Sequence, residues 1–138
     1  MATQDPVRDF LREKGCGEHI VERGLEGLVE TWEGIAQSVE EGYSLGLDDY
    51  LNDMDARQLI GEALVVAPPP QREQFAERIN RADELMKGLV EPARACLWGE
   101  EIAEEEDWTA KENWWYFSRP INAGEDLLDE IDEAMEDR

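Results

Sequence analysis

The chain has 138 residues, of which 35 are acidic and 13 basic, and its formal net charge at pH 7 is −22. Such an excess of carboxylates repels phosphate groups, so we expect no direct contact with nucleic acid and none with an anionic membrane. Hydrophobic residues still make up 41% of the chain, which argues against disorder. A chain of this length can form a single acidic helical domain over residues 1–138 without disulfide or metal support.

The N-terminal region and the cysteines indicate a cytoplasmic protein. Residues 1–10 lack a basic segment followed by an apolar run, and no stretch reaches the roughly eighteen consecutive apolar residues of a membrane-spanning helix. Cys16 and Cys96 are too few for a disulfide framework, so we expect reduced thiols. Nothing in the sequence defines an oligomeric state.

Two long helices are predicted from apolar residues at alternating spacings of three and four. The first covers about residues 18–41 and has Val21, Leu25, Leu28, Trp32, Ile35 and Val39 on one face. The second covers about residues 71–97 and has Phe75, Ile79, Ala82, Met86, Leu89, Ala93 and Cys96 on one face. Pro92 lies inside the second span, where its ring predicts a kink or a junction of two helices.

Three to five shorter helices complete the predicted architecture. Asp5 and Pro6 predict the start of a short helix. Two more short helices are predicted from their apolar faces, one after Gly46 and one after the helix-capping pattern at Asp55. The proline run 68–70 ends the helix that begins at Asp55. Because no segment shows the alternation of a strand, we predict an all-α helical bundle.

The last predicted helix, residues 122–138, is strongly acidic. Its narrow apolar stripe consists of Leu127, Leu128, Ile131 and Met135. Acidic pairs four residues apart, such as Glu125 and Asp129, weaken an isolated helix. We therefore expect this helix to form by docking on the body, and to be available to a basic partner if the docking is loose. The predicted counterparts for its acids are Arg78, Arg81, Lys87 and Arg94.

Residues 108–120 carry the densest aromatic surface of the chain. Four consecutive aromatic residues, 114–117, point in several directions in either a helix or a strand, so one face cannot bury them all. The segment is therefore either an aromatic plug that completes the core or a binding surface, because Trp, Tyr and Arg dominate interface energetics. The candidate binding residues of the segment are Trp108, Trp114, Trp115, Tyr116, Phe117 and Arg119.

The acidic residues are unevenly distributed. No basic residue lies between Arg23 and Arg57, and fifteen acids but only three bases lie from Glu100 to the end. Within the first region Asp48, Asp49 and Asp53 are candidate contacts for a basic protein partner. A solvated helix face is the alternative interpretation of the same pattern.

No set of residues has the pattern of an active site. Glu30-x-x-Glu33 has the spacing of a bundle metal motif, but the apolar periodicity turns both side chains toward solvent. Cys16-x-x-His19 offers only two of the four ligands of a structural zinc site. His19 is the only histidine, and we predict no catalytic residue, no metal ligand and no cofactor.

Two classes of function are consistent with these patterns. The favoured one is a non-enzymatic acidic interaction module, such as an inhibitor, an immunity-type protein or a nucleic-acid mimic. It would bind a basic partner through carboxylates and an aromatic patch. The alternative is a small metal-dependent hydrolase whose carboxylates converge only in the folded bundle.

Overall fold

A computed structural model describes residues 5–136, and within that range the chain is an all-α bundle, as predicted. The described range contains six helices: α1 (Pro6–Glu13), α2 (Glu18–Glu41), α3 (Leu47–Val66), α4 (Pro69–Leu89), α5 (Glu100–Glu106) and α6 (Glu125–Glu136). Two short strands, β1 (Val90–Pro92) and β2 (Ser118–Pro120), pair antiparallel. Residues 1–4 and 137–138 lie outside the described range, so the ends of the predicted domain 1–138 and helix 122–138 stay predictions.

Helix α2 is the centre of the core. Its predicted apolar face is buried from Val21 to Val39, and it packs against α1, α3 and α4. The facing side of α4 buries Phe75, Ile79 and Met86. The predicted pairing of the two long helices is therefore confirmed, and burial of these side chains supplies the main drive for folding.

Helix α2 is bent at Gly24. Its backbone angles there are φ 59° and ψ −146°, a conformation that side-chain-bearing residues avoid. Two residues before the bend, the carbonyl of Glu22 accepts a hydrogen bond of 2.8 Å from the guanidinium of Arg8. A side chain of α1 therefore satisfies a backbone group beside the interruption in α2.

Helices α3 and α4 have different lengths from those predicted. Residues 47–66 form one continuous helix, with Asp55 in its interior rather than at a cap. Helix α4 ends at Leu89, short of the predicted position near 97, and the chain continues as β1. Pro92 is the physical reason, because it cannot donate a helical hydrogen bond and disfavours the helical conformation in the residue before it. In the resulting pair of strands, Glu91 lies opposite Arg119.

Helix α6 docks on the bundle through its apolar stripe. Leu127, Ile131 and Met135 are buried, and the helix packs against α3. The predicted counterpart for its acids was wrong: Asp132 pairs with Arg119 of β2 at 2.6 Å, whereas Glu130 accepts a hydrogen bond from the backbone of Leu47 at 3.1 Å. The acids of α6 therefore meet β2 and the start of α3 instead of α4.

Two further sequence expectations concern the membrane and the cysteines. Among the described helices, none is both long and apolar enough to cross a membrane. Cys16 and Cys96 are thiols without a disulfide bond, as predicted.

Candidate functional site

The aromatic segment, residues 108–120, begins with a tight turn. The hydroxyl of Thr109 accepts a hydrogen bond from the backbone N–H of Glu112, and the side-chain carbonyl of Asn113 accepts one from the N–H of Thr109, both at 3.1 Å. The first of these has the spacing of a helix-capping contact, although it closes a turn rather than an α-helix. A 3₁₀ helix, Trp114–Tyr116, follows and leads into β2.

The aromatic side chains of this segment divide between core and surface. Trp115 and Tyr116 are buried, with exposed fractions of 5% and 1%. Trp108, Trp114 and Phe117 are half-buried and pack against the core. Trp108 stacks on Tyr116 at a centroid distance of 4.0 Å. Trp115 and Tyr116 therefore act as the predicted core plug, and only the other three offer surface to a ligand.

A buried ion pair lies beside the aromatic segment. Arg57 of α3 donates two hydrogen bonds, of 2.8 and 2.9 Å, to the carboxylate of Asp83 in α4. Trp32 of α2 donates a third, of 2.9 Å, from its indole nitrogen. The guanidinium of Arg57 also lies 4.5 Å from the ring centroid of Trp115, a cation–π contact. One carboxylate thus joins three helices and the aromatic segment.

Sequence reasoning missed the Arg57–Asp83 pair, although a signal was present. Asp83 follows Ile79 by four positions, so it belongs on the buried side of α4 despite its charge. A charged residue at such a position is almost always paired in the folded state.

The aromatic segment is also fixed to α3 by hydrogen bonds. The hydroxyl of Tyr116 donates to Asp55 at 2.5 Å, and the indole of Trp98 donates to the same oxygen at 3.3 Å. Asn113 donates to the side chain of Gln58 at 3.0 Å. Burial is the main cause that raises the pKa of Tyr116, and the bond to Asp55 raises it further, so this hydroxyl stays protonated.

Acidic residues from three separate segments meet at one end of the bundle, which we call the acidic end. These segments are the last turn of α2, the first turn of α3 and helix α6. Backbone hydrogen bonds between Tyr43 and residues 122 and 124, together with the Leu47–Glu130 bond, hold the segments together. The acidic end consists of Glu40, Glu41, Asp48, Asp49, Glu125, Asp126, Asp129 and Glu130, all of them exposed.

The carboxylates of the acidic end are not paired with basic side chains of the described residues. Across residues 5–136, none of these eight side chains forms a salt bridge. Elsewhere on the molecule several exposed acids do pair locally, for example Glu30 with Arg23 and Glu77 with Arg81. The acidic end therefore concentrates uncompensated negative charge on one surface.

Asp53 has a different environment from Asp48 and Asp49. It is half-buried behind the acidic end and accepts a hydrogen bond of 2.6 Å from the hydroxyl of Tyr43. Burial raises the pKa of Asp53, Asp49 raises it further, and the bond from Tyr43 opposes both. This candidate residue therefore has a structural contact that Asp48 and Asp49 lack.

Arg119 is likewise occupied within the fold. It is half-buried between β1 and α6, with Nη1 2.6 Å from Asp132 and Nε 3.8 Å from Glu91. Its charge is thus balanced by two carboxylates of the same chain. As a candidate binding residue, Arg119 would have to exchange these partners for a ligand.

Of the two glutamates with metal-motif spacing, Glu30 is exposed, as predicted, and the side chain of Glu33 is 39% exposed and paired with Arg78. Glu33 is half-buried and accepts two hydrogen bonds from Arg78, which lower its pKa. In the described part of the chain, no three His, Cys, Asp or Glu side chains are grouped so as to hold a metal ion. His19 is exposed at the start of α2.

No protein-family model, curated protein or solved structure matches this chain. The candidate site is therefore defined by geometry, and it consists of the acidic end together with the half-exposed part of the aromatic segment. The two regions differ in chemistry, because the acidic end displays carboxylates and the aromatic segment displays aromatic rings.

Proposed function

We propose that the chain is a non-enzymatic interaction module that binds a basic protein partner at its acidic end. The observation that supports the proposal is the meeting of three chain segments whose carboxylates have no salt bridge within residues 5–136. Like charges held close together repel one another, and the fold has to offset that cost. A partner that supplies Lys or Arg side chains would relieve the repulsion on binding.

In this proposal the role of the aromatic segment is to hold α3 in place. Its bonds to Asp55 and Gln58, together with the stacking of Arg57 on Trp115, hold the helix whose first turn carries Asp48 and Asp49. A rigid helix reduces the entropy lost when its side chains engage a partner. Charges at such a surface mainly accelerate the encounter, and they do so less as salt is added.

The proposal is tested with two variants of equal charge. The first replaces Asp48, Asp49, Asp126 and Asp129 with Asn at the acidic end. The control replaces Glu101, Glu104, Glu105 and Glu106 of α5 with Gln, which removes the same number of charges from exposed positions elsewhere. The partner is the most abundant protein that copurifies with the chain from its native host, and association rates are measured by surface plasmon resonance at several salt concentrations.

We expect the acidic-end variant to lose about tenfold in association rate at low salt and to show a flatter salt dependence. The control variant should stay within about twofold of the unmodified chain, because its charges lie outside the proposed contact. Equal losses in the two variants would contradict the proposal, since net charge alone would then explain binding. A partner that is acidic would contradict it as well.

A further inference from the structure

A groove of about 380 Å³ lies between the end of α4, β1 and the aromatic segment. Its walls are largely apolar and include Val90, Pro92, Trp114 and Phe117. The groove is separate from the acidic end, and it includes two of the three aromatic side chains of the segment that remain half-exposed. Small-molecule sites commonly have volumes of about 300–1,000 Å³ and apolar walls with a few polar groups.

Two lysines line this groove, although acidic residues outnumber basic ones in the chain as a whole. Lys111 forms no salt bridge to any residue that the structure describes, and Lys87 has only a long one, 3.9 Å to Glu84. The ammonium of Lys87 lies 5.5 Å from the ring centroid of Trp114. Both lysines are exposed and thus available to a further anionic group.

One acidic side chain also lines the groove. Glu91 is a lining residue, and its carboxylate lies 3.8 Å from Nε of Arg119 on the neighbouring strand. Within residues 5–136, Glu84 is the one acid that forms a salt bridge with either lysine, and the screening length at physiological salt is only about 8 Å. The residues that line the groove comprise two lysines and one carboxylate, so the lining has a net positive charge despite the net charge of −22 of the chain.

We propose that this groove binds a small aromatic carboxylate. The carboxylate lies between Lys87 and Lys111, and the ring packs against the exposed parts of Trp114 and Phe117, where aromatic pairs gain energy beyond simple burial. A single negative charge suits the site best, because every additional charge on the ligand is repelled by the rest of the protein. The chemistry excludes a polyanion such as nucleic acid and is independent of any partner at the acidic end.

The probe is 1-naphthoate, titrated into the full chain and followed by NMR of the backbone and indole N–H groups. Two matched compounds separate the contributions of ring and charge: 1-naphthalenemethanol keeps the ring without the charge, and cyclohexanecarboxylate keeps the charge without the aromatic ring. We expect saturable shifts at the Trp114 indole and at Lys111, with the indole of the buried Trp32 moving less. Both matched compounds should bind at least about tenfold more weakly, because each lacks one of the two interactions.

The variants decide whether the lysines carry the recognition. Lys87→Gln combined with Lys111→Gln should weaken naphthoate binding by about tenfold or more and leave 1-naphthalenemethanol unchanged. The control, Arg72→Gln combined with Arg81→Gln, removes the same charge from exposed positions of α4 outside the groove and should have little effect. Equal affinities in the two double variants would overturn the proposal. Shifts confined to other parts of the chain, or no saturable binding up to about 10 mM, would overturn it too.

Discussion

At the scale of single residues, Asp83 is the most connected charged group of the core. Its carboxylate accepts hydrogen bonds from Arg57 and Trp32, and the ion pair with Arg57 is only about a tenth exposed. Removing one partner of a buried pair leaves the other charge without compensation, which costs far more than the pair itself contributes. Asp83 therefore has a structural role in joining α2, α3 and α4.

Asp83→Ala should lower the free energy of unfolding by about 3–5 kcal/mol, because it strands the Arg57 guanidinium inside the bundle. Urea denaturation followed by circular dichroism measures the effect. The double variant Arg57→Met with Asp83→Leu should recover much of the loss, since apolar side chains of similar size need no ionic partner. A cost below about 1 kcal/mol for Asp83→Ala would mean that water reaches the pair.

Asp53 should make stability depend on pH in a direction opposite to that of Glu33. Because its folded-state pKa is raised above the ordinary value of 3.8, the fold takes up a proton more readily than the unfolded chain. Protonation of Asp53 thus stabilises the fold as the pH falls toward 3.8. Glu33, whose pKa is lowered from 4.5 by Arg78, contributes stability that is lost as the pH falls through its folded pKa.

Asp53→Asn isolates the first of these two effects. At neutral pH the variant should be more stable than the unmodified chain, because it removes a half-buried charge while the amide oxygen still accepts the Tyr43 hydroxyl. The difference should shrink as the pH is lowered, because the raised pKa lets Asp53 take up a proton at a higher pH than an ordinary aspartate does. Thermal melts between pH 4 and pH 7 measure it, and a difference that grows on acidification would contradict the argument.

At the scale of elements, the bend of α2 depends on one glycine. Gly24 has a positive φ, whereas Gly34 of the same helix lies in its regular, exposed part with open space around an added methyl group. Gly24→Ala should therefore destabilise the protein by about 1–3 kcal/mol through backbone strain. Gly34→Ala should stabilise it by up to about 1 kcal/mol through helix propensity and a less flexible unfolded chain. Denaturant midpoints of both variants measure these two changes in stability. Changes of the same sign in the two variants would show that the bend is absent in solution.

Helix α6 depends on docking, because its sequence is too acidic to be helical alone. Ile131 is fully buried and Asp129 is exposed on the same helix, which offers a matched comparison. Ile131→Ala should cost about 2–5 kcal/mol, as for other large-to-small changes in a core, and Asp129→Ala should change stability by less than about 0.5 kcal/mol. If Ile131→Ala left the unfolding midpoint unchanged, α6 would be the loosely docked element that the sequence allows.

At the scale of the whole molecule, the net charge of −22 sets the response to salt. Exposed salt bridges such as Arg81–Glu77 each contribute at most about 1 kcal/mol and weaken with screening, but repulsion among the remaining acids weakens at the same time. We expect the melting temperature to rise between low salt and about 0.5 M salt, where the screening length is a few ångströms. A steady fall over that range would show that the favourable ion pairs outweigh the repulsion.

The parts of the fold that could be predicted are those encoded in local periodicity. The spacing of Val21, Leu25 and Leu28 on α2, and of Phe75 and Ile79 on α4, identifies helix faces without any knowledge of the partner. Pro92 indicated an interruption near the end of α4, but the strand that follows could not be predicted, because it is paired with residues 118–120, far along the chain. Pairing between distant segments does not produce a regular spacing of apolar residues in either segment.

Composition and spacing, which are properties of the chain alone, were enough to predict the all-α class, the central face of α2 and the excess of carboxylates. Which aromatic rings are buried in the core, and which carboxylates form salt bridges, depends on tertiary contacts. Trp115 is buried over Arg57, and Trp114 is left half-exposed beside Lys87. Burial and ion pairing depend on which distant segments meet, and that is a property of the folded molecule rather than of any local pattern.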